Sequence, residues 1–400
     1  MKSTKLSTPR RFRPHIVLAG KCNAGKSALL NALVGQDLAI VSETAGTTTD
    51  PVLKSSELVP FGPVVFVDTA GTDDASALGS ARKGKARRAV EGSDLILYVM
   101  RPGTLDAKEI AEIRSLSEQG RSVLPVATHS DLAGQDPDIP WNTELGTIHR
   151  CSSKTGDGVS ELRNAIITIL REQRLRHKSL LEDLVRPFKL ILLIVPIDLE
   201  APAGRLILPQ VQTIREVLDS DAATLVVKER EVSWVLDQLK RPPDLAITDS
   251  QVVLKAAGAI PPSIPLTTFS ILFSRFKGDL DLFVRNARHI DKLTHGSRVL
   301  VTESCSHHTH CDDIGRVKIP RWLRQYTGKE LEIEHSGGSF PEDISPYDLL
   351  IHCGGCMITR PQMLQRVRDA ASIDAPITNY GVAISHLHGL LDRVLEPFNS

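Results

Sequence analysis

At 400 residues the chain is too long for one core, because domains run to roughly 100–200 residues, so two or three are expected. Basic and acidic side chains number 48 each, so the net charge is zero and a basic nucleic-acid surface is disfavoured as the main feature. No apolar run reaches the roughly 20 residues a membrane-spanning helix needs, and six cysteines without a secretory signal argue for reduced thiols and a metal site. The first 14 residues are basic with no apolar core behind them. They read as a disordered leader, with a short organelle address left open and a cytoplasmic location expected.

Residues 15–19 read as an apolar strand that feeds a Gly-rich turn, and 27–33 as the helix behind it. Residues 64–67, 95–99 and 123–127 read as buried strands, and the amphipathic stretch 161–175 closes the unit. This βαβ alternation predicts a parallel sheet with helices on both faces. The charge runs 82–88 and 171–178 read first as solvated helical faces; the former is also a candidate docking surface that moves with nucleotide state. A second unit, from about Leu184 to Pro262, carries strand-like 190–195 and 223–227, with helical 211–218 and 232–239. It holds nothing catalytic and reads as an interface or spacer. A third begins near Pro265, where 299–301 and 349–351 read as strands running straight into cysteine segments. Open α/β sheets place ligands at such strand ends. No internal repeat is expected. The predicted fold is α/β with three domains: a P-loop domain over 1–178, a small α/β domain over 179–262 and an α/β domain over 263–400.

Two motif sets carry chemistry. Gly20-Lys-Cys-Asn23-Ala24-Gly25-Lys26-Ser27 fits the phosphate-loop pattern G-x-x-x-x-G-K-S/T, between a strand and a helix as the motif requires; Ala28 continues that helix. Backbone N–H groups should cradle the phosphates, Lys26 should reach the β- and γ-phosphates, and Ser27 should offer its hydroxyl to Mg²⁺. The second set is Cys305-Ser-His307 and His352-Cys353-Gly-Gly-Cys356. A Cys-x-x-Cys pair plus a distant Cys brings three thiolates to one centre, which suits zinc or an iron–sulfur cluster. His307, His352, Asp312 and Asp313 are candidates for an exchangeable fourth position, and Cys311 is a surplus thiol of open role.

Further segments follow the phosphate loop in the order of a nucleotide switch. Gly46-Thr47-Thr48-Thr49-Asp50 resembles switch I, where a threonine closes over Mg²⁺ and the γ-phosphate. Asp68-Thr-Ala-Gly71 resembles switch II, with Asp68 behind the Mg²⁺ shell, and Ser152-Ser153-Lys154 resembles the last guanine-side loop. Together they resemble a translation-factor-type GTPase of the subgroup that includes tRNA-modifying and ribosome-assembly GTPases. That resemblance implies GTP as ligand, Lys26, Thr48 and Asp68 as the catalytic set, and Asn23 as a K⁺ ligand beside the phosphates. Two departures stand out. Thr128-His129-Ser130-Asp131 replaces Asn-Lys-x-Asp, leaving Asp131 to read the guanine N–H donors. Thr72, not Gln, follows Gly71, so slow hydrolysis and a switch role are expected.

The order of these motifs, with Cys311-Asp-Asp-Ile-Gly-Arg-Val-Lys-Ile-Pro320 and Ile377-Thr-Asn-Tyr-Gly-Val-Ala383, resembles the [FeFe]-hydrogenase maturation GTPase family over nearly the whole chain. The resemblance implies a homodimer with GTPase, dimerisation and cluster-binding domains, and a scaffold role. It implies that Cys305, Cys353 and Cys356 hold a [4Fe–4S] cluster. The implied cargo is a transient diiron precursor made with the radical-SAM maturases HydE and HydG and passed to apo [FeFe]-hydrogenase. Neither nucleic acid nor membrane is expected as partner. The alternative is a ribosome- or tRNA-associated GTPase with a structural zinc.

Overall fold

The structure is a computed structural model. It describes residues 13–35, 52–71, 79–101, 106–132, 142–143, 146–176, 179–181, 183–196, 206–304, 313–337, 340–341, 343–356 and 358–399. The chain divides into two compact units, Met1–Arg176 and His177–Ser400.

The first unit runs β1 (His15–Ala19), α1 (Lys26–Gly35), β2 (Val52–Leu58), β3 (Gly62–Asp68), α2 (Gly79–Glu91), β4 (Leu95–Met100), α3 (Ala107–Glu118) and β5 (Val123–Ala127). A two-residue ladder of β6 (Asn142–Thr143) with β7 (Gly146–Thr147), then β8 (His149–Arg150) and α4 (Val159–Arg176), complete it. The sheet order is β2-β3-β1-β4-β5-β8. Each of the six expected elements forms. All six residues of β4 are buried, as are Ile16, Val17 and Leu18 of β1, because helices cover both faces of a parallel sheet and leave its strands continuously apolar. One strand departs from the parallel expectation. β2 pairs antiparallel with β3 across residues 59–61, and a connection that short cannot make the crossover a parallel pair needs. Strand β1 lies between β3 and β4, so the chain leaves it where the strand order reverses, the place such sheets put ligands.

The second unit holds two four-stranded parallel sheets. The first comprises β9 (Leu190–Ile194), α5 (Leu208–Asp219), β10 (Ala223–Val227), α6 (Val232–Gln238), β11 (Leu245–Thr248), α7 (Val253–Ala259), β12 (Leu266–Thr268) and α8 (Phe269–Lys277), in the order β10-β9-β11-β12. After α9 (Leu280–Ala287) come β13 (Arg298–Glu303), α10 (Ile319–Thr327), β14 (Glu332–Gly337), β15 (Leu349–His352), α11 (Arg360–Ala371), β16 (Ile377–Asn379), α12 (Tyr380–Leu387) and α13 (Leu391–Leu395). This second sheet is ordered β14-β13-β15-β16.

The two sheets share one strand order and similar ties at their ends. Asp244 Oδ2 accepts from Leu190 N at 2.8 Å at the start of the first, and Asp348 Oδ2 from Arg298 N at 2.8 Å at the start of the second. Thr268 caps α8 through Ile271 N, and Asn379 caps α12 through Val382 N. The only stretch where the likeness is plain in sequence is Pro265-Leu-Thr-Thr-Phe-Ser270 against Pro376-Ile-Thr-Asn-Tyr-Gly381. The first unit shares the order, in β3-β1-β4-β5, and the tie, with Asp94 Oδ2 accepting from His15 N at 2.7 Å, so these features belong to the parallel architecture and leave the expectation of no sequence repeat standing. The expected break at 262–263 falls just before β12, which pairs with β11 and so belongs to the first sheet. No helix among the described residues is long and apolar enough to cross a membrane.

Candidate functional site

Gly20 leaves β1 at φ 132°, and a Cβ there would overlap the Val99 carbonyl oxygen, so only glycine fits. Asn23 at φ 59° and Gly25 at φ 91° continue the left-handed turns that point N–H groups into a phosphate loop. Lys26 is buried, and its Nζ donates to the carbonyls of Gly20 at 3.0 Å and Lys21 at 2.6 Å. Its ammonium thus lies across the loop mouth. The Ser27 hydroxyl donates to Asp68 Oδ2 at 2.6 Å. Asp68 Oδ1 is buried with no hydrogen-bond partner among the described residues. An orphaned carboxylate oxygen beside a serine hydroxyl is the donor set a hydrated Mg²⁺ requires. A Cβ on Gly71 would overlap the Cys22 backbone nitrogen and sulfur, so switch II packs directly on the phosphate loop. Thr47 and Thr48 lie outside the described residues.

On the guanine side, Thr128 replaces asparagine yet retains a tie to the phosphate loop. Its buried Oγ1 donates to the Ala24 carbonyl at 2.7 Å, with the Met100 carbonyl at 3.2 Å and His129 Nδ1 at 2.9 Å. His129, at φ 59°, lays its ring against Gly25. Asp131 accepts from Ser152 Oγ at 2.7 Å, and that bond, above all, holds its carboxyl below the ordinary range, so it stays ionised as a guanine reader must. Ser152 Oγ also accepts from the N–H groups of Lys154 and Thr155 at 3.2 Å each, which positions Ser153 and Lys154. One contact carried no sequence signal. Lys21 Nζ pairs with Asp106 at 2.8 Å and Glu109 at 3.0 Å, pinning the phosphate loop to the capping box of α3 across 85 residues.

The cysteine segments leave β13 and β15, adjacent parallel strands between which the order of the second sheet reverses. Ser304, the residue before Cys305, donates its N–H to Cys353 Sγ at 3.2 Å. Burial raises the Cys353 pKa, while the N–H groups of Ser304 and Gly355, donated to its sulfur, favour the thiolate. A thiolate with backbone donors on its sulfur is the chemistry a metal–sulfur centre needs. Among the described residues no group of three or more His, Cys, Asp or Glu side chains could hold a metal. Cys305, His307, Cys311 and Asp312 lie outside them, while Asp313 accepts from Arg316 N at 2.7 Å.

His352 is fully buried, with both ring nitrogens engaged. Nδ1 faces the Cys353 carbonyl, while Nε2 faces Arg366 Nη1 and the Ser304 hydroxyl. Arg366 can only donate, so Nε2 accepts and Nδ1 carries the proton. To bind a metal, His352 would first have to release Arg366. At the same strand ends, a Cβ on Gly315 would overlap the Tyr380 hydroxyl and Glu303 Oε1. The two motif segments around Gly315 and Tyr380, distant in sequence, therefore meet beside β13. Sequence reasoning missed Arg366 and also Lys277, whose ammonium contacts the Cys353–Cys356 loop.

Comparison with known proteins matches three successive segments of the chain. Residues 15–129 match the model described as 50S ribosome-binding GTPase, residues 180–278 the hydrogen maturase F dimerization domain, and residues 281–397 the hydrogen maturase F tetramerization domain. Among curated proteins, the tRNA modification GTPase MnmE of Salinibacter ruber is 42% identical over 133 residues, 32% of this chain and 28% of that protein. The MnmE of Bordetella petrii is 38% identical over 160 residues, 39% of this chain and 33% of that one. The chain thus spans about a third of the length of these relatives. Among solved structures, Era in complex with MgGDPNP and 16S ribosomal RNA nucleotides is 26% identical over 39% of this chain and 56% of its own, at a TM-score of 0.33. The G domain of the Thermotoga maritima FeoB iron transporter is 24% identical over 40% of this chain and 99% of its own, at a TM-score of 0.32.

Proposed function

This chain belongs to the hydrogen maturase F family, and we propose that it is a GTP-gated carrier that holds a [4Fe–4S] cluster and delivers a diiron precursor to apo [FeFe]-hydrogenase. Its first domain is a P-loop GTPase that binds GTP with Mg²⁺. In our reading Cys305, Cys353 and Cys356 hold the cluster, and the fourth iron site is left for cargo. The HydE and HydG maturases would load it, and the dimerization domain would assemble the carrier. One observation carries this reading: two cysteine segments leave neighbouring strands where the sheet order reverses, with the Ser304 N–H on the Cys353 sulfur.

The nucleotide acts as a switch in this reading. Lys26 and the loop N–H groups bind the phosphates, and the Ser27–Asp68 pair holds the Mg²⁺ shell. With Thr72 where a water-positioning glutamine would stand, turnover is slow and the bound state persists. Asn23 supplies a K⁺ contact; equal GTPase rates in K⁺ and Na⁺ would remove it. The cluster reading is tested by anaerobic reconstitution with iron and sulfide, followed by iron analysis and EPR, on wild type beside Cys353→Ala. About four irons per chain and a reduced-cluster signal, both lost in the variant, are expected. The likeness to tRNA modification GTPases favours a second reading, a tRNA-associated GTPase with structural zinc, but that likeness stays in the GTPase domain. A colourless protein with one zinc and no iron would establish it.

A further inference from the structure

Lys277 closes α8 and is 2% exposed. Lysine is seldom buried so completely, because removing an ammonium from water is costly unless its hydrogens are well received. Here Nζ donates to the carbonyls of Gly355 at 2.9 Å, Ile358 at 2.9 Å and Cys356 at 3.4 Å. An ammonium has three hydrogens, and one short loop supplies three acceptors. The Phe273 ring, one turn earlier on α8, lies 5.9 Å from Nζ and helps close the pocket.

The loop needs such a clamp. Gly354 and Gly355 make it the most permissive backbone a chain can have, and Gly355 sits at φ 61°. A second bond ties the same elements together: Arg360, at the start of α11, donates Nε to the Phe276 carbonyl of α8 at 2.9 Å. The last turn of α8 and the first turn of α11 are thus joined around the cysteine loop. Any metal–thiolate group bound there is anionic, so a buried cation behind the loop also offsets its charge.

We propose that Lys277 is the positioning residue of the cysteine loop: by gathering the Gly355, Cys356 and Ile358 carbonyls it sets the spacing of the Cys353 and Cys356 sulfurs before a metal arrives. Its use in cluster binding rests on the reading given above; its hold on the loop does not. Because α8 falls within the dimerization segment and the loop does not, Lys277 is also where the two segments meet.

Lys277→Met keeps the stem and removes the three donors. The variant should form the wild-type oligomer and hydrolyse GTP at the wild-type rate, since Lys277 belongs to the other unit. After anaerobic reconstitution with ferrous iron and sulfide, it should release iron to bathophenanthroline about tenfold faster than wild type. In the apo protein, maleimide labelling read by peptide mass spectrometry should be about fivefold faster at Cys356. Iron release and labelling both at wild-type rates would overturn the proposal. If wild type takes up no more iron than Cys353→Ala, the cluster reading falls, while labelling still decides the role of Lys277. Should Lys277→Met unfold, Lys277→Gln, with two donors on a shorter stem, repeats both measurements. Unfolding of both variants would overturn positioning in favour of plain structural support.

Discussion

Replacing Thr128 by valine tests whether the altered guanine loop still depends on its tie to the phosphate loop. The side chains have nearly the same shape, so the change removes a hydroxyl and opens no cavity. Thr128 is 1% exposed, and its Oγ1 donates to the Ala24 carbonyl at 2.7 Å. The Met100 carbonyl keeps its bond from the Thr128 N–H at 3.0 Å, whereas Ala24 loses this donor. Leaving a buried carbonyl without a partner costs about 1–3 kcal/mol. The bond joins two loops that converge on the nucleotide, so part of that cost should appear in binding, where about 1.4 kcal/mol is tenfold in affinity. The expected outcome is GDP binding weakened about tenfold, read by titration with a fluorescent nucleotide, and a lower unfolding free energy for the GTPase unit. Affinity and stability both within twofold of wild type would refute the argument that Thr128 has taken over the asparagine's structural role.

Gly20→Ala should abolish nucleotide binding without unfolding the second unit, because its Cβ would overlap the Val99 carbonyl oxygen; GDP titration with circular dichroism checks it. Asp68→Asn should raise the Mg²⁺ concentration needed for GTP binding about tenfold or more, since Oδ1 would lose its charge; a Mg²⁺ titration at fixed GTP reads it. Burial, chiefly, holds the His15 pKa below its ordinary value near 6.5. The unfolded imidazole therefore takes up a proton that the folded one refuses, and the GTPase unit should lose stability as pH falls from about 7 to 5. His15→Gln should flatten that slope in urea melts; an unchanged slope would remove His15 as its cause.

The phosphate loop was legible because its motif is local: strand, turn and helix follow one another between His15 and Gly35. The strands that carry cysteines were legible for a similar reason, as short apolar runs buried on both faces. Other elements carried no such mark. Among the described residues β14 pairs only with β13, and it has exposed positions on both faces, so Glu332–Gly337 is too polar to read as a strand. β2 forms because β3 offers a free edge, which local pattern does not encode. Lys277 looked like any lysine at a helix end; its meaning comes from carbonyls 78 to 81 residues away.

What the sequence determined by itself was the chemistry: a P-loop between strand and helix, a carboxylate at Asp131, thiols at Cys353 and Cys356, and the order that links them to one family. Each of these depends on residue identity at short spacing, which a linear chain carries in full. Only the tertiary structure decided which partners the groups have. It set Ser304 against the Cys353 sulfur, occupied both nitrogens of His352, let Thr128 stand in for asparagine, and drew three loop carbonyls onto Lys277. It also showed that one sheet architecture occurs twice in the second unit, with cysteines at the strand ends of only one copy. The physical reason is that such contacts join segments tens of residues apart, and packing brings them together.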